Sequence, residues 1–275
     1  MRHLKGWRAL LASIAGIGLG YLYVGRPRVA FGVPLVILTI VGAVAWTRLI
    51  LNPFGAYLLL FTVSLVSIVS LIHPLILARR VREAPVSRWN RGWVYAAWVI
   101  GSLLFSLGLS ASRPTLFGFE PFRIPSVSMS PTMQRGDWVM VDTWRYRSAL
   151  PSYGDLVVFN VPGESRLKYV FRVVGLPEDR MELRDLELYR NGRLVDEAYL
   201  KGNEVAARFV RSFGPIVLDR SSVFVLGDNR GNARDSRFLG PISKDLLYGR
   251  VEHRWFAFDD EILWDRFPQT LAEQH

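Results

Sequence analysis

The 275 residues contain no cysteine, which excludes disulfides, thiolate nucleophiles and cysteine-held metals and leaves the compartment open. Acidic residues are almost missing from the first part of the chain. Before Ala111 there are 11 Lys/Arg against the single acid Glu83, whereas from Ser112 onward 23 basic residues meet 23 acidic ones. The formal net charge of +10 therefore lies entirely among apolar runs. A groove for phosphates needs its charge on the folded domain, so the pattern speaks against nucleic acid as a partner. Internal repeats and low-complexity tracts are absent too. No small-residue cleavage site follows a single short apolar core, so the amino-terminal part reads as an uncleaved anchor.

Uncharged apolar runs fill Ala9 to Gly25, Val29 to Thr47, Phe54 to Ala78 and Val94 to Ala111. The last three (29–47, 54–78 and 94–111) are long enough to cross a hydrocarbon core as helices, against membrane lipid. Segment 9–25 is short and carries Gly16, Gly18, Gly20 and Gly25, so it reads as interfacial, re-entrant or weakly spanning. Five arginines in Arg79 to Arg91 place that connection in the cytoplasm. Everything after the last span then lies outside. Arg2, Lys5 and Arg8 join the cytoplasmic side only if segment 9–25 does not cross, which favours three full spans.

Beyond Arg113 the pattern changes to short alternating or β-branched runs: DWVMVDTW, GDLVVFNV, KYVFRVVGLP, LELYRNGRLV, SSVFVLGDN and GRVEHRWFAF. These read as strands, with Asn191-Gly192 as a hairpin turn. The expected organisation is a membrane region over 1–111 and an extracytoplasmic, β-rich domain over 112–275.

Between the two comes PSVSMSPTMQRGD, Pro125 to Asp137. Pro125 and Pro131 hold it out of regular structure, and Ser126 and Ser128, two apart, share a side if the segment is extended. One serine can then attack while the other donates to a developing oxyanion. Taken in isolation, the stretch reads better as a solvated Ser/Pro loop, since short motifs often mislead.

Three further boxes follow it: GDLVVF at Gly154 to Phe159, RVVGLPED at Arg172 to Asp179, and GDNRGNARDSR at Gly227 to Arg237. In this order after a membrane anchor, over roughly Phe122 to Phe258, the chain resembles the bacterial type I signal peptidases. The resemblance implies a membrane-anchored, mostly β serine endopeptidase at the outer membrane-water boundary that cuts exported precursors after small residues. It implies Ser128 as nucleophile and Ser126 as a contributor to the oxyanion hole. Pro125, Met129, Tyr169 and Val170 become walls of the substrate cleft, and Arg172, Asp228, Asn229, Asp235, Ser236 and Arg237 become scaffold around the site. Asp228 and Asp235 could instead mark a metal, but Asn229 and two arginines in the same segment favour a salt-bridged loop. Neither metal nor cofactor is expected.

The resemblance breaks at the base. The family's lysine position, just before the arginine of the RVVGLP box, is Phe171, and the serine that orients the lysine is Ala233. Phenylalanine has no lone pair to accept a proton. Lys168 is the nearest amine, yet three residues along a strand puts it on the opposite face unless a bulge intervenes. His253 falls on a later strand, and Asp235 as an ordinary carboxylate is a weak base for a hydroxyl. Three readings stay open: a signal-peptidase-type enzyme with a relocated base, a non-catalytic relative that binds exported peptides or partners, and a self-cleaving repressor, which the membrane spans disfavour.

Overall fold

The computed structural model describes residues 2–81, 83–84, 88–200 and 212–256. Residues 82 and 85–87 of the arginine-rich connection and 257–275 of the carboxy-terminal part lie outside the described residues. The chain forms two compact units, Met1–Phe117 and Gly118–His275. The division falls beyond the expected break at 111/112, because a short helix (Arg113–Leu116) continues the last long one before the chain turns to β structure.

In the first unit, strand β1 (Arg2–His3) is followed by helices α1 (Gly6–Ala15), α2 (Leu19–Tyr23), α3 (Pro27–Trp46) and α4 (Pro53–Val81), strand β2 (Glu83–Ala84), and helices α5 (Gly92–Ala111) and α6 (Arg113–Leu116). Three of these helices, Pro27–Trp46, Phe54–Val81 and Gly92–Ala111, are long and apolar enough to cross a membrane. Segment 9–25 does not form such a helix. It splits into α1 and α2 at Gly18, whose φ of 91° is a left-handed conformation. A Cβ there would also meet the Ala30 carbonyl oxygen at 2.4 Å, so only glycine fits. The 10 residues of α1 span only ~15 Å, about half a hydrocarbon core. Pairing of β1 with β2 sets Arg2 opposite Ala84, and the Lys5 amide donates to the Tyr23 hydroxyl. The first residues therefore sit beside the end of the Arg79–Arg80 helix, at the basic end of this unit.

The second unit runs β3 (Phe119–Arg123), β4 (Trp138–Asp142), α7 (Arg145–Ser148), β5 (Leu156–Val161), β6 (Glu164–Gly175), β7 (Arg180–Arg184), β8 (Glu187–Arg190), β9 (Arg193–Leu194), β10 (Phe213–Val217), β11 (Ser222–Leu226), α8 (Ser236–Leu239), β12 (Ile242–Ser243) and β13 (Leu247–Phe256). A seven-stranded sheet has the order β12-β11-β6-β5-β13-β4-β3, and a four-stranded one the order β10-β7-β8-β9. Every pairing is antiparallel. The hairpin turns at Asn191 (φ 53°) and Gly192 (φ 81°), two left-handed residues in succession, as a type I′ turn requires. Two apolar cores use alternate positions of one strand: Val223 and Val225 enter a cluster with Val139, Val157 and Phe171, while Phe224 and Leu226 enter one with Val174, Met181 and Leu188. Burial on both faces explains why SVFVL reads as a continuous apolar run.

One gap in the pairing prepares the site. Strand β11 meets β6 only at Arg172, Val173 and Gly175, whereas β5 pairs with β6 from Glu164 to Arg172. Among the described residues, the stretch Glu164–Phe171 thus has one edge that no strand covers.

Candidate active site

Ser126 and Ser128 lie in the loop between β3 and β4. Its ends are tied by backbone bonds from Ile124 to the Asp137 carbonyl and from Gly136 to the Ile124 carbonyl, both 2.8 Å. Met129 and Met133, 2% and 0% exposed, are drawn into the core. Burial of these side chains, at roughly 2 kcal/mol apiece, anchors the loop and leaves the serines at the surface. Their hydroxyl oxygens stand 3.4 Å apart, so the two share a side of the loop.

The chain after β11 grips this loop from beneath. The Asn229 amide donates to the Ser128 carbonyl (3.0 Å), the Asn229 side chain donates to the Val127 carbonyl (3.1 Å), and the Thr132 hydroxyl donates to Asp228 (2.5 Å). Asp228 is clamped in turn by Arg172, through Nε at 2.9 Å and Nη2 at 2.6 Å, with both side chains 1% exposed. Asp235 accepts the Gly227 amide (3.0 Å) and the Arg237 guanidinium (2.8 and 2.9 Å). Arg230 pairs with Glu197, a partner that no box in the sequence signals. Both carboxylates of the GDN and DSR elements are therefore committed to arginines, and among the described residues no cluster is suited to a metal.

Gly227 marks where the pieces meet. A Cβ on it would lie 2.3 Å from the Ala233 methyl, 2.8 Å from the Ser128 carbonyl oxygen and 3.2 Å from the Phe171 ring. Phe171 is 3% exposed and packs on Phe159 and Tyr169 with ring centroids 5.9 and 5.7 Å apart. Beside the serine loop, where a base would be most useful, the chain has placed an aromatic ring and a methyl group.

A cleft of about 430 Å³ opens above them, lined by Pro125, Ser126, Ser128, Met129, Lys168, Tyr169, Val170 and Phe171. Strand parity alone would turn Lys168 away from Phe171. The register is regular at Lys168, opposite Asn160, and shifts only beyond it, so no bulge brings Lys168 round. The cleft instead runs along the uncovered edge of β6, and an edge is bordered by side chains from both faces. Parity decides the face of a strand but not access to its edge.

The Lys168 ammonium rests 4.5 Å from the Tyr248 ring centroid and 6.0 Å from that of Phe122. Ring faces attract a cation, and among the described residues no hydrogen bond joins this amine to Ser128. Burial, and then a hydrogen bond donated to Glu120, push the Tyr248 phenol above its ordinary value, so the ring beneath Lys168 stays neutral. His253 is buried on β13 opposite Met140 and does not line the cleft. Phe122, Arg123, Arg166 and Tyr248 reach this place without any signal in the motifs. Arg234 and Val158, which also line the cleft, sat inside recognised boxes.

The chain matches the family described as signal peptidase, peptidase S26, over residues 96–256. It is 36% identical over 151 residues to signal peptidase I of Bacillus licheniformis, covering 52% of this chain and 80% of that protein. Against signal peptidase I T of Bacillus subtilis it is 37% identical, covering 52% and 77%. Against signal peptidase IB of Staphylococcus aureus it is 32% identical, covering 61% and 90%.

Proposed function

This chain belongs to the signal peptidase family, peptidase S26, and we propose that it is a membrane-anchored serine endopeptidase of the signal peptidase I type that removes signal peptides from exported precursors. The anchor is the set of three apolar helices. The basic residues gathered at one end of the first unit belong in the bacterial cytoplasm by the positive-inside rule, and the β-rich unit belongs outside. Contact with membrane lipid follows from the exposed apolar faces of those helices.

Ser128 is the proposed nucleophile. Ser126, 3.4 Å from it, is the proposed side-chain donor to the oxyanion. Pro125, Met129, Tyr169 and Val170 would receive the small residues of the precursor, and the uncovered edge of β6 suits an extended peptide, which such an edge holds by main-chain bonds. With Asp228 and Asp235 bound to arginines, Lys168 is the one amine among the described residues that line the cleft, and arginines do not give up a proton. We assign the general base to Lys168, which must give up its ammonium proton to solvent, leave the Tyr248 ring and come within about 3 Å of the Ser128 hydroxyl once a substrate is seated.

The observation that carries this reading is that Ser126, Ser128 and Lys168 line one cleft. The buried Phe171 ring and Ala233 methyl favour a second reading, in which the cleft binds exported peptides without cutting them. A precursor incubated with the whole chain in detergent separates the two. Cleavage after the small residues, abolished in Ser128→Ala, supports the peptidase; stable binding of uncut precursor supports the second reading.

A further inference from the structure

The cleft carries three guanidinium charges that the chemistry above does not use. Among the described residues its lining contains Arg123, Arg166, Lys168 and Arg234 and no carboxylate. Several arginines of the same unit sit against carboxylates: Arg172 on Asp228, Arg230 on Glu197, Arg237 on Asp235, Arg250 on Glu252 and Arg254 on Asp137. Among the described residues, the four cleft cations have no such partner. Arg123, Arg166 and Arg234 are exposed, around a floor of Ile124, Met129, Val158 and Phe171 that is 0 to 4% exposed.

Three guanidiniums and one ammonium around an apolar floor, with no carboxylate among the described lining residues, are set up for an anion that arrives with an apolar segment. We propose that the cleft selects exported polypeptides carrying aspartate or glutamate close to the small residues it binds. This deepens the peptidase reading and shares its site, but it concerns binding and holds whether or not cleavage follows. The apolar floor takes the small side chains, and the cationic rim takes the carboxylates beside them. Basic segments are rejected by like-charge repulsion, which adds to the discrimination.

The test uses full-length Ser128→Ala chain in detergent, so that turnover plays no part, and fluorescent peptides that differ only in having Asp and Glu, Asn and Gln, or Lys beside the small residues. At low salt the acidic peptide should bind about tenfold tighter than the amide one, and the preference should fall to about twofold near 0.5 M NaCl as the charges are screened. Charge reversal by Arg166→Glu with Arg234→Glu should invert the order. Changing the peptide instead of the protein keeps the test valid if that variant folds poorly. Equal binding of all three peptides, or a preference unmoved by salt, overturns the proposal. So does a rim that retains anionic-lipid vesicles while showing no preference among peptides. A chain that cuts nothing yet prefers the acidic peptide would refute the peptidase reading and leave this one standing.

Discussion

Phe171→Lys combined with Ala233→Ser should raise the rate of precursor cleavage by up to about 10², the low end of the usual worth of a general base, because wild type already has a base in Lys168 that must first be brought to the serine. The Phe171 ring and the Ala233 methyl both converge on Gly227, within reach of the Ser128 backbone, so an amine at 171 enters a buried site next to the serine. Burial disfavours the charged form of lysine, and a hydroxyl at 233 gives the amine a partner to hold its direction. Neither substitution supplies both features, so the double variant should exceed either single one. The cost is packing. Lysine replaces a ring in contact with Phe159 and Tyr169, which should lower stability by about 1 to 3 kcal/mol. Cleavage rates for wild type, both single variants and the double, beside a melting curve for each, decide the matter. A folded double variant no faster than wild type would show that more than these two positions separates this site from an efficient one.

Arg172→Met should destabilise the β-rich unit by about 3 to 5 kcal/mol, the range for removing one partner of a buried ion pair. Arg172 is 0% exposed and makes two hydrogen bonds to Asp228. Its guanidinium also lies 4.1 Å from the Tyr199 ring centroid. Without it, the Asp228 carboxylate keeps, among the described residues, the hydrogen bond from the Thr132 hydroxyl. The damage should reach the nucleophile, because Asn229, the next residue, holds the Val127 and Ser128 carbonyls. Arg172→Met joined to Asp228→Leu removes both charges at once and should cost clearly less than the two single losses added together. Thermal unfolding in detergent, followed by tryptophan fluorescence, gives the cycle. Additive losses would mean that the pair contributes no coupling and that the loop is held by its other bonds.

How much of this was visible in the chain depended on the range of the interaction. The three long helices were legible because span length is a local property, and the Asn191-Gly192 hairpin because a two-residue turn states its own requirement. The strands were legible as runs. Their order was not, since β13 enters between β5 and β4 and no local signal encodes a pairing of Arg250 with both Val157 and Asp142. The serine loop and its neighbours could be gathered by resemblance, but the cationic rim could not, because Arg123, Arg166 and Arg234 come from three separate stretches. Lys168 is the instructive case. The periodicity argument was sound for a covered strand, and it failed to place Lys168 outside the cleft because β11 stops short and leaves the edge of β6 open.

The assignment of Lys168 as base is the claim on which the account turns, and it is tested most directly by measuring kcat and KM for precursor cleavage in wild type, Lys168→Ala and Lys168→Arg, with Ser128→Ala as the blank. The account predicts slow wild-type cleavage above the blank, and a fall of about 10² to 10⁴ in kcat for Lys168→Ala. It predicts no rescue in Lys168→Arg, whose guanidinium keeps the positive rim but cannot take a proton. Unchanged turnover in Lys168→Ala, or full turnover restored by Lys168→Arg, would contradict it.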